Sequence, residues 1–242
     1  MSVKVEFICD QTRWGAAPEP VPAAKACPEW YKKLDKYTPY GEFVPGTFKA
    51  CIPARDAMFA GYVIPLWTDL HVKINPASND VQFLGSDPNN DVVGIHTVSQ
   101  VRNTPMESKC PFHNNGNDHA FPWKLLSPWT IKTPPGYSCL FVQPMNHFDD
   151  TPWVFPSAVV DTDVFQGRIN FPFIWNRMPY QGLISHGTPT VQVIPFKRED
   201  YKSVVRSATP EDELHQQRHL TKLYRTFVDK YQKMFWQKKK YL

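Results

Sequence analysis

Two runs of apolar and β-branched residues decide the fold, residues 137–143 (YSCLFVQ) and residues 190–196 (TVQVIPF). Runs of this length and composition are typical of buried strands. A Pro-Pro-Gly sequence at residues 134–136 precedes the first run and fits a type II turn. Further strands are predicted at residues 158–161 and 168–175. This half of the chain is therefore predicted to be a set of paired strands.

The overall composition favours one mainly β domain. The 24 prolines outnumber the 11 glycines and are spread along the 242 residues, which disfavours long helices. Aromatic residues make up 14% of the chain, and their large rings supply buried area for a core. We expect a single barrel or sandwich over residues 1–207, with a loop-rich insertion at residues 75–117. In the first half, strands are predicted at residues 3–9, 49–53, 61–66, 68–74, 81–84 and 92–96.

Residues 208–242 predict a basic amphipathic helix. Thr209 and Pro210 are suited to the N-cap and first helical positions, and apolar residues then recur at helical spacing from Leu220 to Phe235. A helix docked on its own or a neighbouring subunit is the simplest interpretation. A nucleic-acid or membrane-surface role for its lysine-rich face is the alternative.

Charge and cysteine content limit the location and the partners. The net charge is only +4 and the excess lies near the C-terminal end, so we expect neither a nucleic-acid partner nor membrane insertion. Five cysteines without a C-x-x-C pair, and no apolar signal segment after Met1, predict free thiols in a reducing cytoplasm.

Three stretches of the second half resemble, in order and spacing, the trimeric dUTPase and dCTP deaminase family. They are residues 159–167 (VVDTDVFQG), 173–177 (FIWNR) and 183–194 (LISHGTPTVQVI). The resemblance implies a β-clip fold, with a jelly roll as the alternative architecture, and a homo-oligomer, in that family a trimer. It also implies that Asp161 is a general base, and it places nucleotide-binding positions at Phe165, Gly167, Asn170 and Gln192.

The departures from that family concern its phosphate site. Where dUTPases carry a Pro-Arg-Ser motif, this chain has Pro144, Met145 and Asn146. A triphosphate would lose its bidentate guanidinium partner there. The glycine-rich C-terminal arm of the family is replaced by the basic helix. We therefore expect a dUTPase-like scaffold that serves as a non-catalytic binding or assembly protein.

The whole chain is also similar to an uncharacterised family of tailed phages and some bacteria. The likeness is carried by residues 28–32 (PEWYK), 134–138 (PPGYS), 160–163 (VDTD), 170–173 (NFPF) and 187–196 (GTPTVQVIPF). It implies a phage-encoded protein in the host cytoplasm. A virion component, or a protein that binds a host or virion partner through its C-terminal helix, is a further possibility.

Asp161 and Asp163 are the first candidate catalytic pair. On an extended strand, residues two apart share a face, so the two carboxylates could hold Mg²⁺ or let Asp161 activate a water. That would suit a divergent nucleotide pyrophosphohydrolase. In the alternative interpretation, both carboxylates lie in a turn or bulge and cap backbone amides.

His147, Asp149 and His186 follow the His-x-Asp…His order of Fe²⁺/2-oxoglutarate oxygenases. That chemistry also needs a basic residue for the oxoglutarate carboxylate. Arg198 is twelve residues beyond His186, and the predicted strand at residues 190–196 lies between them. If that segment is extended, the chain length between the two residues is about 40 Å, which is too far for a shared pocket. A third set, Cys110, His113 and His119, offers zinc ligand types but no evident fourth ligand.

Overall fold

The computed structural model describes residues 3–42, 44–74, 81–85, 93–95, 123–148, 151–176, 179–224 and 229–239. Strand residues (31%) outnumber helical residues (21%), which confirms a mainly β protein. The strands are β1 (Glu6–Cys9), β2 (Val21–Pro22), β3 (Tyr62–Pro65), β4 (Leu70–Ile74), β5 (Val81–Gly85), β6 (Val93–Ile95), β7 (Trp123–Leu125), β8 (Trp129–Lys132), β9 (Tyr137–Val142), β10 (Trp153–Val154), β11 (Ala158–Val160), β12 (Phe171–Trp175), β13 (Tyr180–Ile184) and β14 (Pro189–Lys197).

These strands form four antiparallel sheets. The largest has the order β11-β9-β14-β3-β2, and the others are β10-β12-β7-β6, β13-β4-β5 and β1-β8. The predicted strands at residues 61–66 and 68–74 are present as β3 and β4, but they belong to different sheets. Several antiparallel sheets agree with the predicted class, while the specific choice of a β-clip or a jelly roll stays a prediction.

The core lies against one face of β14. Val191 and Val193 are buried on the core face, and Gln192 points to the opposite face because side chains alternate along a strand. An aromatic cluster of Trp153, Phe155, Phe173 and Trp175 contributes much of the core, with ring centroids 5.0–6.1 Å apart. These large rings supply the buried area that the composition predicted.

The predicted strand at residues 49–53 is wrong. Residues Phe48–Ala50 form a 3-10 turn, and helix α2 (Ile52–Met58) follows it. Pro53 lies in the first helical turn, where its missing N–H costs nothing, and two alanines and an arginine continue the helix. The predicted helix start at Pro28 is confirmed, because α1 (Glu29–Lys33) begins at the next residue.

The C-terminal region forms two helices rather than one continuous helix. Helix α3 (Pro210–Tyr224) begins with the predicted cap: Asp212 N–H donates to Thr209 Oγ1 (3.2 Å), and Thr209 N–H donates to Asp212 (2.8 Å). Helix α4 (Lys230–Met234) follows Asp229, whose φ of 58° cannot continue a helix. Most described side chains of α3 are exposed, and its His219 ring lies 5.2 Å from the Phe235 ring of the same chain. Docking of this helix on a neighbouring subunit stays a prediction.

Within the described ranges, none of the helices combines the length and apolar character needed to cross a bilayer. The four described cysteines, Cys9, Cys27, Cys51 and Cys139, are free thiols, in agreement with the prediction, and Cys110 lies outside the described residues.

Candidate functional site

Arg198 joins the two aspartates that the sequence singled out. Its guanidinium donates to both oxygens of Asp163, from Nη1 at 2.8 Å and from Nη2 at 2.5 Å. Nη1 also approaches Asp161 Oδ1 (3.3 Å), Ser138 Oγ (3.0 Å) and the carbonyl of Tyr137 (3.1 Å). The sequence contained no signal for this contact, because Arg198 follows β14 while the aspartates follow β11.

Asp161 and Asp163 lie in a turn and not on an extended strand. The turn is closed by hydrogen bonds from the N–H groups of Val164 and Phe165 to the Asp161 carbonyl. Asp163 Oδ2 also accepts the Gly136 N–H at 2.8 Å, and Asp161 Oδ1 accepts the Ser138 hydroxyl at 2.6 Å. This geometry matches the turn interpretation, in which carboxylates cap local donors.

The surroundings of Asp163 keep it ionised. Its side chain is only 6% exposed. Hydrogen bonds from Arg198 and from the Gly136 N–H together lower its pKa to about 2, against a smaller opposing effect of desolvation. Protein groups thus already hold this carboxylate, so a cation that bound here would have to displace Arg198.

Gln192 lies at a crossing of three elements. Its side chain is fully buried, with Nε2 donating to the carbonyls of Ala57 (2.9 Å) and Ala60 (2.7 Å) and Oε1 accepting the Met145 N–H (2.8 Å). These bonds tie α2 and the turn after β9 to β14. The amide is therefore used internally, and a nucleotide-binding role for Gln192 stays a prediction.

Asn146 adds to the same junction. It has a left-handed backbone (φ 58°), and its Nδ2 donates to the Ala54 carbonyl at 3.2 Å. The turn that replaces the dUTPase phosphate motif is therefore used for packing against α2.

The other predicted nucleotide positions are Phe165, Gly167 and Asn170. The Phe165 ring covers Gly167, where an added Cβ would lie 2.8 Å from the ring. Asn170 borders an apolar cleft that is open to the surface. The cleft lies between β9, β11 and the start of β12, and its main lining residues are Phe141, Phe155, Ala158, Val160, Phe171 and Pro172.

The two histidines of the predicted iron site lie in turns at one end of β14. His147 follows β9 and is half-buried. His186 lies between β13 and β14 and is exposed, and its backbone N–H donates to Asp69 Oδ1 at 2.7 Å. Asp149 lies outside the described residues. No group of three or more His, Cys, Asp or Glu in the described ranges is arranged to hold a metal ion. The iron site stays a prediction, as does zinc at Cys110, His113 and His119, which also lie outside those ranges.

A feature that sequence reasoning missed is an exposed segment after β14, residues 199–209, which we name the C-terminal arm. It contains no regular secondary structure, and all of its side chains are exposed. Tyr201, Val204 and Val205 are 87%, 82% and 97% exposed. Three large apolar side chains this exposed on one short segment are unusual for a surface loop.

The segment of residues 229–239, which we name the C-terminal tail, returns to the N-terminal helices. Asp229 accepts from Tyr37 Oη (2.7 Å) and pairs with Lys36 (2.6 Å). The nearly buried Asp56 accepts from Trp236 Nε1 (2.8 Å) and Lys239 Nζ (2.7 Å). Burial raises the pKa of Asp56, but the hydrogen bonds from Lys239, Trp236 and Arg55 lower it by more.

Two comparisons with known proteins were negative. A scan against protein-family models and a search of curated proteins each found no match to this chain.

Proposed function

We propose that the protein is a non-catalytic assembly protein that forms homo-oligomers through its C-terminal arm. The observation that carries the proposal is the exposure of Tyr201, Val204 and Val205. Burial of one such side chain against a second chain contributes roughly 1.5–3 kcal/mol. An arm with three of them gains its stability by binding another polypeptide surface.

The candidate catalytic groups support a non-catalytic role. Arg198 and Gly136 occupy both oxygens of Asp163, and Ser138 and Arg198 contact Asp161. The Gln192 amide is used by backbone groups. These contacts give the residues a structural use that requires no substrate.

The scaffold proposed here is a dUTPase-like β-clip of phage type. Met145 and Asn146 stand where dUTPases bind phosphate, and both are engaged with neighbouring elements of this chain. Loss of the phosphate site together with retention of a compact β scaffold is what we expect of a binding derivative.

Self-association tests the proposal directly. We expect light scattering after size exclusion to give a native mass of at least two chains. A variant with Tyr201, Val204 and Val205 all changed to serine should weaken self-association at least tenfold. Tyr40→Ser with Val44→Ser is the matched control, because both residues are also highly exposed. A monomeric native protein, or equal loss in the control, would contradict the proposal.

A hydrolysis screen tests the non-catalytic part. Nucleoside triphosphates with Mg²⁺ should give no turnover above that of Asp161→Asn. Turnover by the native protein that disappears in Asp161→Asn would show that the carboxylate pair is catalytic.

A further inference from the structure

We infer that the C-terminal arm of one copy binds as an added strand to the outer edge of β11 in another copy, with Tyr201 in the neighbouring apolar cleft. This inference rests on the proposed function, because it identifies the surface on which the arm assembles. It adds the acceptor site, the mode of binding and the residue that anchors the arm.

The edge of β11 is suited to accept a strand. Strand β11 ends the five-stranded sheet and pairs only with β9 among the described strands. A free strand edge presents unpaired N–H and C=O groups, which an extended peptide can satisfy. Exposed apolar side chains lie on and beside this edge: Val159 of β11 is 59% exposed, and Val164 and Phe165 in the turn that follows are 72% and 47% exposed.

The arm is suited to be the added strand. Its residues 199–209 have no helical or strand pairing that would have to be broken, and eleven residues can span up to about 36 Å when extended, more than the length of β11 requires. In an extended conformation, Tyr201 and Val205 lie on one face and Lys202, Val204 and Arg206 on the other. Tyr201 and Val205 would therefore face the sheet together, and the charged side chains of Lys202 and Arg206 would face away from it.

The cleft is placed to receive the apolar face of the arm. Ala158 and Val160 of β11 form part of its wall, so the cleft opens beside the edge at which the strand would add. Phe141, Phe155 and Phe171 line the interior. Among the three apolar side chains of the arm, the Tyr201 ring has the largest area to bury there, and its hydroxyl could remain at the mouth.

The exposure of the whole arm indicates that the occupant is a second copy, because residues 199–209 do not pack on their own chain. Arg198 is the residue before the arm, and it is bound to Asp161, the residue after β11. The origin of each arm is therefore beside the acceptor edge of its own chain. A rotation axis next to this contact would bring the arm of each copy to the β11 edge of another, which closes the oligomer without leaving an arm free.

Photo-crosslinking tests the acceptor site. Tyr201 would be replaced by p-benzoylphenylalanine in the full-length chain, and isotopically heavy and light chains would be mixed before irradiation. We expect inter-chain crosslinks to residues 155–172, identified by mass spectrometry. Inter-chain crosslinks confined to other regions would overturn the inference.

Acceptor variants provide the second measurement. Ala158→Trp should fill the cleft, and Val159→Lys should place a charge on the edge, so each should weaken self-association at least tenfold with the melting temperature unchanged. Leu183→Lys is the matched control, since Leu183 is exposed on the edge strand β13. Arm-dependent oligomers that tolerate both acceptor variants would overturn this inference alone. Oligomers that do not depend on the arm, or none at all, would overturn it together with the proposed function.

Discussion

Arg198 and Asp163 form a fork of two parallel hydrogen bonds that holds the turn after β11 against the end of β14. Charge-assisted bonds of this geometry are stronger than neutral ones and resist small rotations of either side chain. The contact fixes the direction in which the C-terminal arm leaves the sheet. A single residue pair thus connects the carboxylates, first considered for catalysis, with the segment proposed for assembly.

The pH dependence of stability tests this contact. The folded-state pKa of Asp163 is about 2, below its ordinary value of 3.8, so its stabilising effect is present above pH 4 and is lost as the pH falls towards 2. Asp163→Asn should lower the melting temperature at pH 7 by a few degrees. The difference from the native protein should disappear near pH 2. The control is Asp200→Asn, which removes the same charge from an exposed residue, and a pH-independent difference would contradict the assignment.

Gln192 makes a similar test possible in the interior. Gln192→Leu keeps the volume but leaves the Ala60 carbonyl and the Met145 N–H without their side-chain partner, while the Ala57 carbonyl still accepts the Ala60 N–H. Buried groups left unsatisfied cost about 1–3 kcal/mol each, so we expect a loss of roughly 3 kcal/mol or more in urea unfolding. Gln181→Leu, at an exposed position of β13, should change stability by less than about 0.5 kcal/mol. Equal effects of the two substitutions would show that the buried amide contributes little.

At the scale of elements, close approach between β3 and β14 depends on Gly61. This residue has a φ of +67°, and an added Cβ would lie 2.0 Å from the Val193 carbonyl oxygen. The strands could not keep their register with any larger residue at this position. The five-stranded sheet that supports both the arm and its proposed acceptor edge therefore requires glycine here.

Gly61→Ala should destabilise the fold by roughly 3 kcal/mol or more, because both the backbone conformation and the contact with β14 are lost. Gly136→Ala is the comparison, since Gly136 has a φ of +85° but open space around its Cα. It should cost only about 1–2 kcal/mol. Chemical denaturation of both variants measures the difference, and a similar cost would mean that the contact with β14 relaxes easily.

At the scale of the whole molecule, the C-terminal tail connects the two ends of the chain. Asp56 accepts hydrogen bonds from Trp236 and Lys239. Asp229 forms an ion pair with Lys36 and accepts a hydrogen bond from Tyr37. The chain therefore leaves the sheet as an exposed arm and an exposed helix α3 and then returns to the N-terminal helices. Both ends of the excursion are fixed by ionic contacts, and the arm between them is exposed.

Asp56→Ala should release the tail. The variant removes the acceptor of Trp236 Nε1 and Lys239 Nζ, and cleavage by trypsin in the tail should become about tenfold faster because local opening becomes less costly. The exposed Asp35→Ala serves as the control. Equal cleavage rates, measured by mass spectrometry over a time course, would show that the tail is held by other contacts.

The sequence by itself determined the mainly β class, the positions of β9, β11 and β14 and the cap of helix α3, because alternation, turn residues and caps act over a few neighbouring positions. It wrongly predicted a strand at residues 49–53, because the short apolar run there is compatible with either a strand or the start of a helix, and the structure has a helix. Only the tertiary structure decided that Arg198 meets Asp161 and Asp163 and that Gln192 is used by α2. Such contacts join residues far apart in the chain, and their geometry depends on strand order and register, which local patterns do not specify.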